Sequence, residues 1–185
     1  MMQELSLNVL DVAQNSIKAG AKLTEIGVTV STTDDTLAIV IKDDGCGMDG
    51  ETLDRVTDPF YTTRTTRKVG LGVGFFKFAA ELTGGSFNIT SAQGSGTEVT
   101  AVFGLSSIDR MPLGDMNGTI ETLAMFNQQT DFLYTYEVDG EGFSLDTREF
   151  KAELDGVPLD SPDAAAFFRE FLEENTAEVN KGRAF

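Results

Sequence analysis

The chain has 185 residues, 41% of them hydrophobic with 14 Phe, and its formal net charge of -16 excludes nucleic acid and anionic membrane as general partners. That length suits one core of ordinary size. With one cysteine, no histidine, no apolar run long enough to span a bilayer and no export signal, there is neither an internal disulfide nor histidine chemistry, and a soluble cytoplasmic protein is expected.

Leu5, Val9, Val12, Ala13 and Ser16 share one side of a helix expected over about 3–19, with Gly20 as its stop. Strands follow at 24–31 and 36–42, joined by the turn-prone Thr33-Asp34-Asp35. A short helix at 49–55 precedes an aperiodic polar stretch at 58–69, read as loop. A helix from about 71 to 83 stops at Gly84-Gly85, and strands at 86–91 and 97–103 flank a glycine turn. Two glycines and Pro112 break the pattern between 104 and 114. Beyond it a helix at 114–128 leads to a hairpin of 132–138 with 143–146, turning through 139–142. A short helix near 147–154 follows, and a last helix starts at Ser161 with Pro162 in first position.

This order predicts an α+β fold, a two-layer α/β sandwich with helices on one face of a mixed sheet. Residues 1–104 carry 8 Lys/Arg and 13 Asp/Glu, whereas 105–185 carry 6 and 17. The expected division is therefore a glycine-motif domain at 1–104 and an acidic extension at 105–185, packed on the first through Phe167, Phe168, Phe171 and Leu172.

Three segments carry candidate chemistry. Glu4, Asn8, Asp11, Asn15 and Lys18 recur at helical spacing, which describes either a solvated stripe or a functional face. In the functional reading the amide of Asn15 is a hard ligand for Mg²⁺, and the carboxylate of Asp11 orients water or accepts a hydroxyl proton. Asp43-Asp44-Gly45-Cys46-Gly47-Met48 ends a β-branched strand. A carboxylate there can accept from an exocyclic amine, and glycines let backbone approach a flat ring, although strand-to-helix turns favour Asp and Gly regardless. Gly70-Leu71-Gly72-Val73-Gly74 opens a helix, where backbone N–H groups and the helix dipole favour anions. It is neither a P-loop nor a dinucleotide fingerprint. Arg64, Arg67 and Lys68 precede it as a local basic cluster suited to a lid over phosphates.

Taken together, these segments resemble the boxes of the GHKL superfamily of ATP-binding domains, which includes gyrase, Hsp90, histidine kinases, MutL and anti-sigma-factor serine kinases. Residues 10–21 resemble the N-box, Asp43–Gly47 and Gly70–Gly74 the two glycine boxes, and Asp58-Pro-Phe60-Tyr-Thr-Thr63 the F-box. Glu81–Gly85 and Gly94-Ser-Gly-Thr97 continue the pattern. The resemblance implies a Bergerat-type fold binding ATP and Mg²⁺, with Asn15 on the metal, Asp43 on adenine N6 and Thr97 supporting that contact. Gly45, Gly47 and Met48 would border the base. Gly70, Leu71, Gly72, Val73 and Gly74 would border the phosphates beneath Arg64 and Lys68. Asp11 stands where the hydrolases and serine kinases usually carry Glu, one methylene longer.

The resemblance implies regulatory phosphotransfer, as an ATP-dependent serine kinase or slow ATPase, in a stand-alone bacterial protein. The alternative is a nucleotide-gated interaction module without significant turnover. A self-phosphorylating histidine kinase is excluded by the missing histidine. A protein partner would meet the lid or the acidic extension, and a homodimer is a further arrangement.

Overall fold

The computed structural model describes residues 4–56 and 71–185, and of Leu71 the backbone alone. Helix α1 (Leu5–Lys18) buries Leu5, Val9, Val12 and Ala13, the stripe its period predicts. It stops where Gly20 takes φ 74°, a left-handed turn glycine enters without a Cβ clash. Strands β1 (Leu23–Ser31) and β2 (Thr36–Asp43) pair antiparallel with Val28 opposite Ile39. Every second residue of each is buried, so one face of the hairpin belongs to the core.

After α2 (Gly50–Val56) and α3 (Leu71–Leu82), strands β3 (Ser86–Ala92) and β4 (Gly96–Gly104) form a second hairpin. Strand β4 also pairs antiparallel with β2. Helix α4 (Met116–Phe126) begins at Asp115, whose carboxylate accepts from the Gly118 N–H at 2.8 Å. Then come β5 (Asp131–Val138), β6 (Glu141–Asp146), α5 (Thr147–Glu153) and α6 (Pro162–Asn180).

Strand β5 lies parallel to β1, from Leu23 opposite Asp131 to Val30 opposite Val138. The result is one six-stranded mixed sheet in the order β3-β4-β2-β1-β5-β6. The fold is α+β, as the element order implies, and residues 105–185 supply two of the six strands. The β5–β6 hairpin is tighter than the expected four-residue turn: Val138 pairs with Glu141, leaving Asp139 and Gly140 at φ 54° and 84°. Two positive φ values make a type I′ turn, which Asp-Gly favours because its twist matches the strands.

Phe168 and Leu172 of α6 are fully buried, each contributing about 2 kcal/mol of burial. Phe171 is partly buried against the same core, while Phe167 stays half exposed and stacks on Phe150 at 5.3 Å. Among the described residues no helix is long and apolar enough to cross a membrane.

Candidate functional site

Strand parity decides which carboxylate of the Asp43–Asp44 pair turns inward. Asp43 shares the face of Ile39 and Ile41, which are buried beneath the helices. Asp44 turns outward and accepts from the Lys22 and Leu23 N–H groups at 2.7 and 2.9 Å. The bond from Leu23 leads the causes that hold its carboxyl below the usual range. Register places Asp43 opposite Thr24 on β1 and Thr97 on β4, and Thr97 opposite Ser91 on β3. Four polar residues thus form a row across four strands. The next row, Ile89, Val99, Ile41 and Ile26, is wholly apolar.

A cavity of about 290 Å³ opens at this row. Val12 of α1, Val73 of α3, Ile41, Ile89 and Val99 form apolar walls, while Asn15, Asp43 and Thr97 supply polar groups. Apolar walls with few convergent polar atoms suit a flat heteroaromatic ring. Asp43 is fixed on both oxygens: the Ser16 hydroxyl donates to Oδ2 at 2.6 Å and the Gly45 N–H to Oδ1 at 2.9 Å. Ser16 itself is buried at 3% exposure.

Of the residues singled out in the sequence, the cavity brings together Asn15, Asp43, Gly47, Met48, Val73 and Thr97. Gly45 lies behind the wall, packed so closely that a Cβ would stand 2.9 Å from the Ala19 Cβ. Gly47 has φ 64°, and a Cβ there would stand 1.9 Å from the Ala92 carbonyl oxygen. Both glycines therefore answer first to the chain's own packing. Gly72 and Gly74 are buried within the first turn of α3 rather than in a loop, beside Leu71, which opens the helix.

Asp11 does not line the cavity. It is half-buried, and its carboxylate lies against Gly72, where a Cβ would come within 1.9 Å of Oδ2. This contact puts a carboxylate at the N-terminal turn of α3. The stripe is thus not a solvated face from Glu4 to Asn15, and only its last member, Lys18, is exposed. Asn8 is 1% exposed, and its Oδ1 has no hydrogen-bond partner among the described residues. Arg64, Lys68 and Gly70 lie outside the described residues.

Two hydroxyls escaped the sequence reading. Ser16 sat in an apolar stripe, and a polar residue there is the signal that could have exposed it. Ser91 accepts from the Met48 N–H, donates to the Gly96 carbonyl and meets Thr97 Oγ1, each at 2.9 Å. No local pattern marks it. Cys46 and Lys18 also border the cavity, and Cys46 is exposed.

A helix layer on a mixed sheet, with an apolar cavity ending at a fixed carboxylate, defines a class of small-ligand-binding α+β domain. Residues 3–107 match the family described as "Histidine kinase-, DNA gyrase B-, and HSP90-like ATPase", and the chain belongs to it. Among curated relatives, the sensor histidine kinase YvrG of Bacillus subtilis (strain 168) is 32% identical over 93 residues, 48% of this chain and 16% of that protein. The sensor protein SrrB of Staphylococcus aureus (strain NCTC 8325 / PS 47) is 36% identical over 101 residues, 52% of this chain and 17% of the relative. The chain thus spans only about a sixth of the length of these proteins. The solved N-terminal domain of a DNA repair protein has the same fold, with a TM-score of 0.56 at 15% identity, over 78% of this chain and 52% of that chain.

Proposed function

We propose that the chain binds Mg-ATP and acts in regulatory phosphotransfer or slow ATP hydrolysis. One observation carries the reading: Asp43, clamped by Ser16 and Gly45, ends an apolar slot of the size a purine needs. An acceptor so placed suits adenine N6. Asn15 on the same wall would hold Mg²⁺, which keeps most of its waters and shares phosphate oxygens, so a single protein amide suffices. Bound Mg²⁺ supplies charge neutralisation at the phosphates.

The N-terminal turn of α3, with Gly72 and Gly74, favours phosphate through the N–H groups a helix start leaves without intrahelical partners and through its dipole. Gly70, Arg64 and Lys68 are assigned to the same phosphates by charge and sequence position. Asp11, held against Gly72, accepts the proton of water or of a partner's hydroxyl. The acceptor is a protein partner meeting the acidic extension, in a bacterial cytoplasm. The division at 104 is then one of role, with nucleotide chemistry before it and partner contact after it.

A fluorescent ATP analogue titrated with and without Mg²⁺ tests the reading. The wild type binds about tenfold tighter with the metal, and Asn15→Ala removes that difference, about 1.4 kcal/mol. Binding indifferent to Mg²⁺ in both proteins removes Asn15 as the metal ligand, and absence of binding in the wild type removes the reading itself. For turnover, Asp11→Asn lowers phosphate release or partner phosphorylation at least about tenfold, the low end for loss of a general base. Equal rates in both proteins strike Asp11 from the mechanism.

A further inference from the structure

Proton counting around Ser91 fixes which hydrogen-bonding groups face the ligand. A serine hydroxyl has one proton and two lone pairs. The Gly96 carbonyl can only accept, so the 2.9 Å contact between them takes the Ser91 proton. The Met48 N–H can only donate, so it fills one Ser91 lone pair. At the remaining 2.9 Å contact Ser91 has only a lone pair left, and Thr97 must donate to it. The Thr97 hydroxyl is then without its proton for any ligand and shows the cavity lone pairs alone.

Its register partner Asp43 is acceptor-only as a carboxylate, with inner positions taken by Ser16 and Gly45. Residues directly opposite on paired strands stand about 5 Å apart at Cβ, so two acceptors converge on one spot. We infer that Ser91 is a positioning residue for base recognition: by holding the Thr97 proton it makes Asp43 and Thr97 a paired acceptor that selects a ring bearing a primary exocyclic amine, whose two N–H groups satisfy both. A ring carbonyl at that spot meets two acceptors and no donor. The inference rests on the nucleotide reading above and adds the residue that sets its selectivity.

The test is the ratio of affinities for ATP and inosine triphosphate, which differ in carrying an amine or a carbonyl at that ring position. It is measured by calorimetric titration of the full chain. The wild type prefers ATP. Ser91→Ala frees the Thr97 hydroxyl to donate, so the ratio falls about tenfold, the worth of one hydrogen bond of this kind, and Ser91→Thr restores it. Thr97→Val lowers the ratio similarly, and adding Ser91→Ala to it changes nothing further, since both act through one hydroxyl.

A wild-type ratio in folded Ser91→Ala overturns the inference while ATP binding stands. Should Ser91→Ala not fold, an unaltered ratio in Thr97→Val overturns it equally. A wild type that binds neither nucleotide removes the underlying reading instead.

Discussion

Asp43→Asn is expected to weaken ATP binding about a hundredfold, or about 3 kcal/mol, while the protein stays folded. The carboxylate offers acceptors only; the amide replaces one oxygen with a donor of nearly the same shape. Gly45 N–H still finds an oxygen, and the Ser16 hydroxyl can turn to accept from the amide nitrogen. What changes is the group facing the cavity, because one orientation of the amide must now set a donor against the ligand's own amine. Two donors in contact lose the bond and leave both desolvated, which costs more than a missing neutral bond. Asp43→Ala is the cruder probe, since it strands the buried Ser16 hydroxyl and the Gly45 N–H and adds about 1–3 kcal/mol of instability. Titration with a fluorescent ATP analogue, beside a thermal melt, separates the two effects. Undiminished affinity in folded Asp43→Asn removes Asp43 from recognition.

Gly47→Ala is expected to destabilise the fold by about 3 kcal/mol, combining the left-handed backbone cost with overpacking. At φ 64° an alanine is strained whatever surrounds it. Its methyl would also stand 1.9 Å from the Ala92 carbonyl oxygen and 3.0 Å from that of Gly96, both backbone atoms. Neither can retreat freely: the Gly94 N–H donates to the Cys46 carbonyl at 2.7 Å and the Met48 N–H to Ser91 at 2.9 Å, lacing the two turns together. The melting temperature should drop by about 10 °C. Gly94→Ala is the control, with φ 76° but open space around its Cβ. It carries the conformational part alone, about 1–2 kcal/mol. Equal shifts in the two variants mean that the contact with Ala92 is not what demands glycine at 47.

Much of this protein was legible before any coordinates. The 3.6-residue stripe of α1, the β-branched alternation of β1 and β2, the cap at Ser161 and the glycine stops are local patterns, set within a few residues by backbone sterics and burial of one face. A carboxylate pair, Asp43-Asp44, was legible as the end of an apolar strand before a glycine turn, and the family's first glycine box singled out Asp43. The family's boxes added Asn15 and Thr97 to it.

Register between strands far apart in the chain was not legible, because nothing local states which strand lies beside which. Only the folded sheet places Thr97 between Asp43 and Ser91, sets β5 parallel to β1 across a hundred residues of chain, and lays Asp11 against Gly72. Ser16 and Ser91 gained their roles in that step, since a hydroxyl's meaning depends on which donors and acceptors the fold brings within 3 Å of it. The sequence determined the elements and the inward carboxylate; the tertiary structure decided which hydroxyls hold it, and so which face it shows a ligand.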